Sequence, residues 1–301
     1  MIKTNKLILS INELSKSYGQ LKAVDRLTLE VEKGTVLGIL GPNGSGKTTT
    51  LGMLLGVIKP LSGSFTWFEG QYGTAHRKYI GATLETPNFY SYLDADDNLA
   101  IVSRIKGVSH ESFDAILDQV GLLSRRKSPF KTYSLGMKQR LAIAATLIGN
   151  PEVLVYDEPT NGLDPQGIAE IRTILKSLAD SGKTVIMASH ILDEVEKICS
   201  HVAILKRGKL LASGPVGFIL NNDQFAEVAA PDMEKLYQWL SGKSYVSDIK
   251  SQNGFFESKV APEITAVDIN KMAFEDGIIL SYLKLRTRKL EEEFIELTKE
   301  S

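Results

Sequence analysis

Near the N-terminus, apolar and polar residues alternate. Leu7 to Ile11 and Leu27 to Val31 follow the period of two that marks half-buried strands. From Thr35 to Leu40 the alternation gives way to a continuous apolar run ending in a turn signal, which predicts a buried strand. Glu32-Lys33-Gly34 is the short turn between these patterns. Thr48 to Gly56 reads as a helix, with Leu51, Leu54 and Leu55 on one side. Pro60 and Gly63 then break the chain, and Ser64 to Phe68 and Tyr79 to Leu84 predict further strands. Pro87 biases Thr86 away from helix, so a loop starts there.

Helical spacing takes over from Asp94 to Lys106 and from Glu111 to Leu123, with Asp94 as a cap and Gly107 as a stop. Ser134 or Thr132 caps a third helix, Met137 to Gly149. The strand series is thus interrupted over about residues 88–148. It resumes at Val153 to Glu158, a buried strand that ends abruptly in two carboxylates, Asp157 and Glu158. Burying charge is costly, so a metal or a proton role is expected for at least one of them. Pro165 heads a helix that reaches Ala179. Lys183 to Ala188 is another buried strand, followed by Ser189-His190, and Val202 to Leu205 with Lys209 to Ser213 makes a hairpin. Composition shifts at Asn221-Asn222-Asp223, which sets expected domains of 1–220 and 221–301. The second has short strand and helix patterns and ends in an amphipathic helix, Leu290 to Leu297.

The chemistry concentrates in Gly41-Pro42-Asn43-Gly44-Ser45-Gly46-Lys47-Thr48, which fits the G-x-x-x-x-G-K-[ST] phosphate loop. Glycine at Gly41, Gly44 and Gly46 is expected because side chains would keep backbone N–H groups from converging on an anion. Lys47 supplies a mobile charge for β- and γ-phosphates, and the Thr48 hydroxyl suits Mg²⁺. A strand before the loop and a helix N-terminus after it complete an anion site. Tyr18, just ahead of this stretch, reads as a strand-end aromatic that is also placed to stack on a nucleobase. His190 follows a strand end, as Asp157-Glu158 and the loop do, and ligands of doubly wound sheets gather at that rim. His76, His110 and His201 lack such placement.

Composition narrows the setting. The 301 residues carry a net charge of −1, and the sequence shows no electrostatic footprint for nucleic acid. The single cysteine, Cys199, suits a reducing compartment. No apolar stretch approaches the ~18–20 residues of a membrane helix, and Leu7-Ile8-Leu9 is no secretory signal. A cytoplasmic protein is expected, with any membrane spans supplied by a partner.

Taken together, Tyr18, the phosphate loop, the helical insertion, Tyr133-Ser134-Leu135-Gly136, Asp157-Glu158, Leu163-Asp164 and His190 resemble the ATPase subunits of ABC transporters. The resemblance covers residues 5 to about 215. More loosely, the later segment resembles the C-terminal extension of exporter-type subunits of the bacitracin-resistance and gliding-motility groups. The implied fold is α/β: a P-loop NTPase of the ABC ATPase type with an antiparallel β subdomain, a helical insertion and a small α+β C-terminal domain. The resemblance implies that Tyr18 stacks on adenine and that Gly41 to Thr49 cradle the phosphates of ATP. It implies that Thr48 and Asp157 hold Mg²⁺, that Glu158 polarises the attacking water and that His190 contacts the γ-phosphate. Ser134, Gly136 and Asp164 would act across a head-to-tail homodimer, on ATP held by the other copy. An integral-membrane permease would be the further partner, placing the subunit at the inner face of the cell membrane.

Two residues depart from the family pattern. Glu85 stands where glutamine is usual, and its carboxylate is compatible with Mg²⁺. The signature Leu-Ser-Gly-Gly-Gln becomes Tyr133-Ser134-Leu135-Gly136-Met137, which keeps the two anion-facing residues. A nucleic-acid-linked ATPase of the same class would need tandem cassettes or basic patches. A small-molecule kinase would leave Ser134-Leu135-Gly136 and His190 without a role.

Overall fold

The structure, a computed structural model, describes residues 6–84, 87–109, 112–219, 223–287 and 290–299. The alternating N-terminal segments run longer than their pattern: β1 spans Leu7–Tyr18 and β2 spans Leu21–Glu32, paired antiparallel. Register shifts after Ile11, where Glu13 takes a positive φ, carry the pairing past the point where alternation fails. β3 (Val36–Leu40) is buried at every position and leads into α1 (Lys47–Leu54). This helix is buried nearly all round rather than on one leucine stripe. It packs against β2 on one side and the later central strands on the other. β4 (Ser62–Trp67) joins β1 to give a three-stranded sheet of order β2-β1-β4.

β5 (Ile80–Thr83) precedes the helical insertion of α2 (Ala95–Lys106), α3 (Asp114–Gln119) and α4 (Leu135–Leu147). Asp94 caps α2 by accepting from the Asp97 N–H at 2.9 Å, and Gly107 stops it in the left-handed conformation. α3 is shorter than its apolar spacing predicts, because Gly121 at positive φ turns the chain; Glu111, the expected start, lies outside the described residues. β6 (Val153–Asp157), α5 (Pro165–Asp180), β7 (Thr184–Ser189), α6 (Leu192–Ile198), β8 (His201–Lys206) and β9 (Lys209–Pro215) follow. The six-stranded sheet has the order β5-β6-β7-β3-β8-β9, parallel except for the β8–β9 hairpin.

The exit of α4 is held from several directions. Lys106 of α2 donates to the Thr146 and Ile148 carbonyls at 3.3 and 2.9 Å. The Thr146 hydroxyl meets the Tyr156 hydroxyl of β6 at 3.0 Å. Lys183 donates to Asn150 Oδ1 and the Pro151 carbonyl, both at 2.8 Å.

By compactness the chain divides into Met1–Pro215 and Val216–Ser301. The composition shift at Asn221-Asn222 lies outside the described residues. The second unit comprises α7 (Val216–Ile219), β10 (Gln224–Ala229), α8 (Met233–Ser241), β11 (Val246–Gln252), β12 (Phe255–Val260), α9 (Ala266–Glu275), β13 (Tyr282–Thr287) and α10 (Leu290–Lys299). Its four strands are antiparallel in the order β11-β12-β10-β13, a split β-α-β-β-α-β arrangement. Leu236 and Leu240 of α8 and Ile269 and Ala273 of α9 pack on Ala226, Val228 and Val260 of the sheet. On the opposite face Arg286 binds Glu227, Glu257 and Glu292. Strand β13 begins later than the expected Ile278, since Ile278 still donates to the Ala273 carbonyl at the end of α9. Among the described residues no helix is long and apolar enough to cross a membrane.

Candidate nucleotide site

Strand β3 ends at Leu40, and the next residues curl back over its end before α1 starts at Lys47. The glycines serve the loop in different ways. A Cβ on Gly46, whose φ is 104°, would fall 2.2 Å from the Ala23 carbonyl. One on Gly41 would meet Ser45 Oγ at 2.3 Å and the Leu205 carbonyl at 2.4 Å. Close packing of the loop on β2 and β8 therefore requires these two. Only Gly44, at φ 79° with open space around it, is set by backbone conformation alone. Lys47 lies buried beneath the loop, donating to the Gly41 and Pro42 carbonyls at 2.8 and 3.4 Å. Among the described residues Ser45 Oγ is buried and finds no hydrogen-bond partner. An orphaned hydroxyl inside a loop of amides is a reserve donor for an anion.

A cavity of about 310 Å³ is lined by Asn43 to Thr49, Tyr18, Leu21, Ala23 and Glu158. Tyr18 is 50% exposed and Leu21 67%, so an apolar wall stands open to solvent where a flat ring could lie. Leu21 and Ala23 escaped the sequence reading. They belong to the wall because the hairpin pairs Leu21 directly with Tyr18.

The carboxylates arrive at the same rim. Asp157 closes β6 and is buried, while Glu158 takes a φ of 49°, a conformation side-chain-bearing residues adopt at a cost. That bend turns its carboxylate toward the loop. Glu158 Oε1 lies 3.4 Å from Lys47 Nζ, and Oε2 lies 2.8 Å from His190 Nδ1 while accepting from the His190 N–H at 3.3 Å. Lys47, Glu158 and His190 thus form one chain of contacts. Glu85 lies outside the described residues.

Ser134, Gly136 and Asp164 gather elsewhere. Ser134 caps α4 by accepting from the Met137 N–H at 3.3 Å, and Asp164 caps α5 by accepting from the Gly167 N–H at 2.9 Å. Tyr133 anchors the approach: its hydroxyl donates to the Arg125 carbonyl, and burial raises its pKa. The two helix starts line a second cavity of about 470 Å³, with Leu135, Leu163, Arg140 and Glu170 also in its walls. The two cavities share no lining residue.

A family profile described as ABC transporter matches residues 24–161. Over 298 residues the chain is 38% identical to the bacitracin transport ATP-binding protein BcrA of Bacillus licheniformis, spanning 96% of this chain and 97% of that protein. The chain is an ABC transporter ATP-binding subunit. It is also 40% identical over 204 residues to the lantibiotic transport ATP-binding protein SrtF of Streptococcus pyogenes, spanning 68% of this chain and 89% of that one. A solved dimeric structure of an ATP-binding cassette in a post-hydrolysis state, bound to ADP and Pi, superposes with a TM-score of 0.61. That cassette is 25% identical and covers 69% of this chain and 99% of its own.

As an ABC subunit the protein binds and hydrolyses ATP and energises transport. Phosphoryl transfer depends mainly on positioning and on neutralising charge as it spreads over the transferred oxygens. The ABC subunit brings a cation, a carboxylate and an imidazole to one phosphate loop. Its second cavity offers two helix N-termini, which favour negative charge through their free N–H groups.

Proposed function

We propose that two copies close head to tail, each holding ATP on its own loop and covering its partner's ATP with Ser134, Gly136 and Asp164. The observation that carries this reading is the separation of the two cavities: one chain owns both halves of a phosphate site, yet no wall is common to them. In the closed dimer Tyr18 stacks on adenine, and Gly41, Pro42, Asn43, Gly44, Ser45, Gly46, Thr48 and Thr49 wrap the phosphates. Lys47 neutralises the β- and γ-oxygens. Glu158 orients and deprotonates the attacking water, and His190 holds Glu158 and reaches the γ-phosphate.

The donor set suits Mg²⁺. Thr48 lies in the first turn of α1, which packs against β6, and Asp157 ends β6, so a hydroxyl and a buried carboxylate offer hard oxygens. These two residues would hold the ion, with Glu85 as a further oxygen donor. When bound, Mg²⁺ neutralises charge between the β- and γ-phosphates. Closure then makes ATP a removable joint between subunits, and its making and breaking moves an integral-membrane permease at the inner face of the cell membrane. Export is the favoured direction, as BcrA and SrtF are named for bacitracin and lantibiotic transport.

The test is Glu158→Gln with ATP and Mg²⁺ in analytical ultracentrifugation. A stable ATP-dependent dimer with turnover lost is expected, and Lys47→Ala should give neither ATP-dependent association nor turnover. A Glu158→Gln protein that stays monomeric and turns over normally would remove the assignment.

A further inference from the structure

Tyr18, the last residue of β1, shares its strand face with a lysine. Residues two apart on a strand point the same way, so Lys16 and Tyr18 lie side by side. The hairpin is irregular here: Lys16 is opposite Val24 and Ser17 opposite Lys22, so the extra residue, Ala23, is on β2 and β1 keeps its alternation. The Lys16 ammonium stands over the face of the Tyr18 ring, 5.4 Å from its centroid. It is anchored as well, donating to the Lys59 carbonyl at 2.8 Å. Lys59 belongs to the segment that follows α1. The same segment is fastened to β1 by the Leu61 N–H, which donates to the Ser15 carbonyl at 2.8 Å. Tyr18 lines the cavity beside the phosphate loop and Lys16 does not. One face of the ring is therefore held by a cation, and the other is left to the cavity.

We infer that Lys16 is a positioning residue for the nucleotide: it holds the Tyr18 ring in the pose on which the base stacks. The inference rests on the reading of Tyr18 as the base-stacking residue. A half-exposed aromatic side chain at a strand end keeps rotamer freedom, and a base that stacks on it has to take that freedom away. A cation drawn to the negative face of the ring removes part of the cost before the nucleotide arrives. Lysine suits the task because its ammonium has three donors on a long stem, enough to satisfy the Lys59 carbonyl and still face the ring. The tie runs from the ring to the chain just beyond α1, the helix that starts at Lys47, so the base and phosphate subsites are fixed to one frame. Lys16 itself stays clear of the phosphate loop. Its effect falls on affinity for the nucleotide and spares the transfer step.

The experiment measures KM and kcat for ATP turnover with Mg²⁺, together with the inhibition constant of inorganic tripolyphosphate, a competitor that has phosphates and no base. An exposed cation–π contact changes affinity by about two- to five-fold. Lys16→Met should raise KM for ATP by that factor and leave kcat and the tripolyphosphate constant unchanged. Lys16→Arg, which keeps a cation over the ring, should bring KM back to near the parent value. Tyr18→Ala should raise KM by about ten-fold or more, and adding Lys16→Met to it should change nothing further. A tripolyphosphate constant that rises along with KM in Lys16→Met overturns the inference, because Lys16 would then act on the loop. So do effects of the two substitutions that simply add, because Lys16 would then act without the ring. An unchanged KM in Lys16→Met beside a raised one in Tyr18→Ala also overturns it and leaves the stacking reading in place. An unchanged KM in Tyr18→Ala removes the stacking reading, and the inference with it.

Discussion

Gly136→Ala should move stability and function in opposite directions. Gly136 lies in the first turn of α4, and a Cβ built there meets nothing closer than Leu163 Cδ2 at 3.9 Å, an ordinary contact. Within one chain the methyl group fits. Replacing glycine by alanine in a helix is worth up to ~1 kcal/mol, and less so near an end, so a gain of about 0.5 kcal/mol is expected. For a unit of this size that raises the unfolding temperature by about 1–2 °C. In the proposed closed dimer the same methyl would stand where the partner's phosphate approaches the helix tip. Losing one charge-assisted hydrogen bond costs about 1.5–3 kcal/mol. Two symmetric sites double this, weakening association by roughly 10²–10⁴-fold at 1.4 kcal/mol per decade. The assay is ATP-dependent sedimentation of Gly136→Ala in the Glu158→Gln background, with differential scanning fluorimetry beside it. Unchanged dimerisation would refute the placement of Gly136 at a phosphate. A lowered unfolding temperature would refute the packing.

Other expectations are smaller in scope. Removing residues 216–301 should leave ATP binding to the remaining unit intact, measured by titration with a fluorescent ATP analogue; loss of binding would show that the units are interdependent. Burial lowers the pKa of Lys106 from 10.5 to about 8, so between those values the unfolded chain holds a proton that the folded chain has released. Stability therefore rises with pH across that window, and Lys106→Met should flatten the rise in urea unfolding; parallel curves for the two proteins would count against it. Burial pushes the Cys199 thiol up to about 12, and α6 packs against β3 beside it. A thiol reagent near pH 8 should modify it only as fast as the protein opens, and labelling ahead of unfolding would show the site to be accessible.

Local signals made most of the rim at the strand ends legible in the sequence. The phosphate loop, the strand ending in Asp157-Glu158 and the cap at Asp94 are set by neighbours a few residues away. Longer-range effects hid the rest. α6 was missed because its seven residues include Asp193, Glu194, Glu196 and Lys197, and its apolar part is only Leu192, Val195 and Ile198, with Val195 set against Gly38 of β3. The full length of β1 and β2 depends on bulges that break the alternation. Leu21 joins the open wall beside Tyr18 only through hairpin pairing, and Gly41 and Gly46 owe their identity to Leu205 and Ala23, both distant in the chain. The separation of Ser134 from Lys47 into different cavities is a tertiary fact that no motif spacing reveals.

The bolted exit of α4 has a mechanical consequence. One end of that helix is a serine tip facing outward; the other is fastened through Thr146 to Tyr156, a single residue before Asp157. The helix is thereby tied at its far end to the strand that carries Asp157 and leads into Glu158, so its two ends belong to one connected element. In the proposed closed dimer, contact of a neighbour at Ser134 would therefore be felt at the strand that carries Asp157 and Glu158.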